Sequence, residues 1–312
     1  MRDWLGMSQR DQLWRVTDES QITGFGPDLQ RVCRAFAIKL NALHKSSKFN
    51  GSLGDNESLL TNIIIHKVSD EYKVELKSHS EAASMNTYSG MLRDLNGFIN
   101  LIRYIGNKHT PDDMKRPDEY DQFFELVDEF QSLLDRTDLD CSSFTSLRTA
   151  ELWIYNFPAF LESCDKYHFI EKVWNIRKSH KPLFDEVQLS RERDWVKKIL
   201  HPSYVEVAVK ATDEVGGSIY DRNPTGRFQY IRSTFHHTKE KFADVANYFQ
   251  DTLPYVFGEM YVALYKQLPK HDGEFLWNAA VLSPPTVFIG VCECPILNAS
   301  DNPNGLNTLV ID

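Results

Sequence analysis

One stretch of the chain gathers residue types that could do chemistry at a fixed spacing. It runs from His201 to Thr234 and reads HPSYVEVAVKATDEVGGSIYDRNPTGRFQYIRST. It opens on a histidine at the head of a segment with helical periodicity, because Tyr204, Val205, Ala208, Val209 and Ala211 recur near the helical repeat. The pair Gly216-Gly217, followed by Ser218, breaks that helix. A turn-rich insert from Asp221 to Gly226 comes next, and Tyr230-Ile231-Arg232-Ser233-Thr234 closes the stretch. The pattern suits a histidine held on a rigid helix below a flat ligand. A Gly-Gly-Ser loop would cover that ligand. An arginine would anchor its anionic groups, since a guanidinium meets a carboxylate with two parallel hydrogen bonds. Imidazole suits iron, and a proximal histidine is one of the ligands that haem takes from proteins. A plainer reading uses the same residues as a helix start beside a proline and an ordinary glycine turn.

The stretch resembles the histidine-ligated haem-dependent aromatic oxygenases, the family of tryptophan 2,3-dioxygenase and its relatives. Members carry an axial histidine on a helix, then a Gly-Gly-Ser, then a Gly…Tyr-Leu-Arg-Ser-Thr run. Here Gly216, Gly217 and Ser218 follow His201 by 15, 16 and 17 residues, and Ile231 replaces the leucine. The match covers about 35 of 312 residues. It departs from the dioxygenases in three places. Ile199-Leu200 stand where an aromatic-arginine run precedes their histidine, Val215 replaces a loop threonine, and the insert lengthens the loop.

The resemblance implies a mostly α-helical haem-binding domain with minor β elements, a single unit over residues 1–312. It implies haem b held non-covalently, as no CxxCH attachment site is present, with its iron on His201. Gly216, Gly217 and Ser218 would close over substrate and propionates. Arg232, with Arg222 or Arg227, would pair with carboxylates. Two histidines compete for the distal side. Glu57, the apolar run Leu59 to Ile65 and then His66 look like the dioxygenases' arrangement, and His79 is the second candidate. Either would hydrogen-bond oxygen or peroxide and take a proton from a phenol or indole. A histidine beside three isoleucines is also an ordinary core residue. Ser142-Ser143-Phe144-Thr145-Ser146 is similar to a Ser-Gly-Phe-Gln-Ser segment lying over the haem. That would set Ser143, Phe144 and Tyr230 against the substrate, while a simpler role is capping the next helix. His180, after Arg177, ranks behind His201 as axial ligand, because it lies 36 residues before Gly216 and Pro182 follows closely.

The family's tyrosine-hydroxylating branch keeps the axial histidine and departs from the dioxygenases elsewhere. The resemblance therefore implies 3-hydroxylation of tyrosine by O2 or hydrogen peroxide, ahead of oxidative cleavage of an indole ring. A helical interaction protein without a cofactor is the reading from a different class.

Several elements must position these residues. Residues 28–45 form an amphipathic helix with Leu29, Val32, Cys33, Phe36, Leu40 and Leu43 on one face. Residues 57–77 read either as a hairpin with Ser69-Asp70 in the turn or as a helix. Apolar periodicity predicts helices over 89–106 and 119–135, joined as an antiparallel pair by a polar loop. Residues 150–175 are helical and aromatic, with an interruption or new start at Pro158. Residues 236–268 are helical with a second start at Pro254, and 281–294 read as a short strand. Residues 1–26 read as a polar arm or short helix, 138–149 as a connection, and 295–312 as a turn-rich tail.

Composition bounds the partners. A formal net charge of −9 disfavours a phosphate backbone, so no nucleic acid is expected. Five cysteines with no CxxC pair suit reduced thiols. No run of 18 apolar residues occurs, and residues 1–30 lack a signal-type apolar core, so a cytoplasmic protein without a membrane partner is expected. There is no Walker loop, GxSxG, HExxH or GxGxxG after a strand. The oligomeric state stays open, a homo-oligomer included.

Overall fold

The computed structural model of the chain describes residues 1–7, 10–16, 21–51, 53, 56–69, 71–77, 86–134, 144–179, 198–199, 201–205, 224–238, 241–253 and 255–267. These are mostly helical, with two small antiparallel sheets. Among them, no helix is long and apolar enough to cross a membrane.

The chain begins with short helices α1 (Arg2–Met7) and α2 (Arg10–Leu13) and a hairpin of β1 (Trp14–Val16) and β2 (Ile22–Phe25). Residues 1–26, read as a polar arm or short helix, thus contain two short helices and also a hairpin that the sequence reading lacked. Trp14 and Phe25 are fully buried and meet edge-to-face at 5.7 Å. Two strands of three and four residues are too short for their alternation to stand out in a polar stretch.

Helix α3 (Pro27–Lys45) has Pro27 in its first turn, where a missing N–H costs nothing, and Asp28 beside the positive end of the helix dipole. Its stripe of Leu29, Val32, Cys33, Phe36, Ala37 and Leu40 is buried. The chain leaves it through Ser47 at φ 54°, and the Ser46 hydroxyl donates to the Leu43 carbonyl at 2.9 Å. Helix α4 (Asn56–Asn62) leads into the hairpin of β3 (Ile63–Val68) and β4 (Glu71–Leu76), so the second half of 57–77 resolves as strands. Val68 pairs with Glu71, with Ser69 at φ 57° opening the turn. On β4, Tyr72 and Val74 face inward between exposed Glu71, Lys73 and Glu75.

Helix α5 (Thr87–Lys108) is capped by the Asn86 side chain, which accepts from the Ser89 amide at 2.8 Å. It buries Met91, Leu95, Phe98, Ile99, Ile102 and Ile105. Helix α6 (Asp118–Leu134) buries Phe123, Leu126, Val127 and Phe130. Helix α7 (Phe144–Tyr155) starts within the expected connection and turns Arg148 into a helical residue. Pro158 opens a single 3₁₀ turn, Pro158–Phe160, and α8 (Ser163–Ser179) follows. The last described helices are α9 (Pro224–His237), α10 (Phe242–Thr252) and α11 (Val256–Gln267). Phe98 and Phe160 sit at the centre of the core, 5.7 Å apart, with Phe36, Tyr155, Phe123 and Phe25 packed around them. The expected strand at 281–294 and the tail at 295–312 lie outside the described residues.

Gly26 is where β2 gives way to α3. Its amide donates to the Leu13 carbonyl at 2.9 Å, and a Cβ there would lie 2.5 Å from the Gln12 carbonyl oxygen. Backbone cannot swing aside as a side-chain tip can. Gly26→Ala is expected to lower the unfolding free energy by about 2–3 kcal/mol. Gly6→Ala, where a Cβ meets nothing within 4 Å, should change it by less than about 1 kcal/mol. Urea denaturation of the two variants checks the contrast.

Candidate functional site around His201

Residues 201–205 form one helical turn, with the Tyr204 and Val205 amides both donating to the His201 carbonyl at 3.0 Å. Pro202 stands where the helix needs no N–H. The turn is wedged against α9 and α10. The His201 ring stacks on Tyr204 at 4.3 Å and 28°, and meets the edge of Tyr248 at 5.5 Å. Tyr204 stacks in turn on Phe249 at 5.9 Å. The His201 amide donates to the Tyr248 hydroxyl at 3.1 Å, and the Tyr230 hydroxyl donates to the Tyr204 carbonyl at 2.6 Å. His201 is half-buried, and its Nδ1 is sealed from solvent with no hydrogen-bond partner among the described residues. A buried ring nitrogen without a partner stands out, because such groups are nearly always satisfied.

The two described arginines of the stretch are already occupied. Arg227 is buried on α9 and holds Glu259 Oε2 at 2.9 Å, with its guanidinium 5.4 Å from the Tyr255 ring centre. Arg232 Nε lies 2.8 Å from Glu171 Oε1, off the hydrogen-bond axis, and Nη2 reaches Oε2 at 3.4 Å. The same Glu171 binds His236 Nε2 at 2.7 Å, and Arg232 lies over Trp174 at 5.1 Å. Tyr230 is buried and spends its hydroxyl on the backbone of the His201 turn.

His66 stands on β3 with about half its side chain exposed, 3.4 Å from Glu75 Oε2 across the hairpin. Phe144 is the first residue of α7. Gly216, Gly217, Ser218, Arg222, His79, Ser143 and His180 lie outside the described residues. The structure thus joins His201 and Tyr230 through Tyr204, gives Arg227 and Arg232 to carboxylates of α11 and α8, and leaves His66 on the open face of a hairpin. For an iron-bound cofactor the fit is divided. His201 offers one imidazole with a buried, unpartnered nitrogen, whereas both arginines would have to leave internal carboxylates to meet a ligand's. Among the described residues, no group of three or more His, Cys, Asp or Glu side chains is placed to hold a metal ion.

Sequence reading missed the most buried polar cluster among the described residues. His44, on α3, is fully buried between two equally buried carboxylates. Its Nδ1 lies 2.5 Å from Glu151 Oε1 and its Nε2 3.3 Å from Asp94 Oδ2. Asp94 also accepts from the Asn50 and Gly51 amides at 2.5 and 2.7 Å. Arg148 pairs with Glu151 and donates to Asn41 Oδ1 at 2.6 Å. A signal was present. His44 follows Leu40 by one helical step on the apolar stripe of α3, and Asp94 lies between Met91 and Leu95 on that of α5. A polar residue in register with a core stripe is a buried polar residue, and burial demands partners.

A second buried network runs from Lys166 Nζ to Gln250 Oε1 at 2.5 Å, and from Gln250 Nε2 to Glu119 Oε1 at 2.9 Å. Glu119 also accepts from the Phe25 amide at 3.2 Å. Burial pushes Lys166 down to about 8, against the pull of Glu119, and pushes the Glu119 carboxyl up.

No family model matches this chain, and neither the curated proteins nor the solved structures contain a significant match to it.

His44 gives stability a pH dependence. Burial alone would lower its pKa, but the hydrogen bonds to Asp94 and Glu151 and their negative charge outweigh that, and the pKa stands above the ordinary 6.5. A histidine whose folded pKa is raised contributes fully below the unfolded value and loses that contribution as pH climbs through the native one. Lys166 acts oppositely, adding stability as pH rises from about 8 towards 10.5. The difference between wild type and His44→Gln isolates the histidine. At about pH 6 the variant should be about 3–5 kcal/mol less stable, and the gap should shrink as pH rises above neutrality. Urea unfolding over that range measures it; a gap independent of pH would mean that folding leaves the His44 pKa unchanged, and a gap that widens with pH would mean that His44 is buried neutral.

Proposed function

We propose that the chain is a haem-dependent oxygenase of a free aromatic amino acid, with tyrosine 3-hydroxylation as its reaction. The observation that carries this is His201, an imidazole fixed by two tyrosines, with a buried, unpartnered nitrogen, at the head of the Gly-Gly-Ser stretch. When bound, haem supplies the activation of O2 or peroxide. The protein's part is to hold and orient. The His201 imidazole would hold the iron, and the Tyr204 face, stacked on that ring, restricts its turning. An amino-acid carboxylate is met by an arginine of the stretch, Arg222 or Arg232, the latter by exchange with Glu171. A distal histidine, His79 or His66, takes the phenol proton. A phenol needs one hydrogen-bond partner that phenylalanine cannot use, and leaving that partner unpaired costs about 1–3 kcal/mol.

A helical interaction protein without cofactor is the second reading. The internal pairing of Arg227 and Arg232 with Glu259 and Glu171 and the exposure of His66 favour it.

Hemin titration separates the two. The purified chain should take up hemin with a Soret band that moves on adding cyanide, and His201→Ala should lose the histidine-ligated spectrum. Tyrosine should perturb that spectrum at roughly tenfold lower concentration than phenylalanine. Given peroxide, or O2 with a reductant, it should yield the 3-hydroxy product by mass spectrometry. N-formylkynurenine from tryptophan, with nothing from tyrosine, would assign indole cleavage instead. No Soret band at stoichiometric hemin would leave the second reading.

A further inference from the structure

We infer that Tyr230 and Tyr248 are positioning residues that lock the His201 turn from two different helices. The inference deepens the proposed function and rests on His201 being the functional histidine. Tyr230 belongs to α9 and Tyr248 to α10, and both hydroxyls converge on the five residues from His201 to Val205. Tyr248 accepts from the amide of His201 itself at 3.1 Å. Tyr230 donates to the carbonyl of Tyr204, the residue on whose ring His201 lies, at 2.6 Å. One bond thus fixes where the histidine's backbone starts, and the other fixes the platform beneath its imidazole.

Packing alone would not need these hydroxyls. Phe249 meets the rings of Tyr204, Tyr230 and Tyr248 at 5.9, 6.0 and 5.6 Å, so phenylalanines would fill the same wedge. The Tyr230 hydroxyl is buried and that of Tyr248 part-buried, and a hydroxyl withdrawn from water needs a partner to satisfy it. Here both partners are backbone groups of one turn. The Tyr230 of the closing run is therefore tied to His201 through structure, which gives a physical reason for two parts of the stretch, some thirty residues apart, to occur together.

Carbethoxylation of the full-length protein by diethyl pyrocarbonate, read residue by residue with peptide mass spectrometry, tests this without requiring haem. Tyr230→Phe and Tyr248→Phe should each raise the modification rate at His201 roughly fivefold, the change expected for losing one ordinary hydrogen bond. The exposed His66 should be unchanged, and the buried His44 should stay protected, which excludes general unfolding. Tyr167→Phe, which removes a hydroxyl near His236, should leave His201 unaffected. An unchanged His201 rate in both variants, or an equal rise in Tyr167→Phe or at His44, would overturn the inference. Hemin affinity measured in parallel should fall in the two variants. If wild type takes up no hemin while the His201 rates rise as stated, the lock stands and the haem reading falls.

Discussion

Two carboxylates can be sealed at the joint of α3, α5 and α7 because two cations are sealed or nearly sealed with them. Asp94 and Glu151 bring two negative charges, and His44 and Arg148 bring two positive ones. The sum is zero only when His44 is imidazolium. With both ring nitrogens facing carboxylate oxygens, the imidazole also needs both N–H groups to avoid a repulsive contact. Charge and hydrogen-bond geometry thus demand the same protonation state. The joint fixes more than the helices. Asp94 holds the Asn50 and Gly51 amides, so the chain leaving α3 is folded back onto α5 by the same carboxylate that faces His44.

The second buried network uses a different solution. Lys166 and Glu119 do not touch directly, and the Gln250 amide stands between them, accepting from one and donating to the other. An amide can do both at once, so a long cation and a carboxylate are linked without a close ion pair. Glu119 uses its remaining oxygen on the Phe25 amide, which anchors the N-terminal hairpin to α6. That contact helps hold Trp14, Ile22 and Phe25 in the core despite the polar composition around them.

What could be read from the sequence follows from how locally each feature is encoded. Helices α3, α5 and α6 carry their own periodicity, and the structure has them within about two residues of expectation, whereas 57–77, open between a hairpin and a helix, divides into α4 and the β3–β4 hairpin. Pro158 marked its break because proline acts through its own backbone. The hairpin of β1 and β2 was not legible, since its burial is set by Glu119 and Phe160, far along the chain. In the candidate site, the turn at His201 was legible from its proline and apolar spacing. The partners of its arginines were not, because Glu171 and Glu259 lie on other helices, 61 and 32 residues away.

Those partners separate residues that composition makes equivalent. Arg227 is 1 % exposed and its partner Glu259 11 %, so removing the carboxylate would strand a buried guanidinium. Breaking such a pair from one side costs about 3–5 kcal/mol. Arg232 and Glu171 are 26 % and 23 % exposed, where water screens the pair. Pairs towards the surface contribute only about 0–1 kcal/mol. Glu171 also has His236 at 2.7 Å, a second donor that can retain it if Arg232 turns away. An incoming anion would displace less at Arg232 than at Arg227. Of the two, Arg227 is a strut between α9 and α11, and Arg232 is the arginine with freedom to change partners.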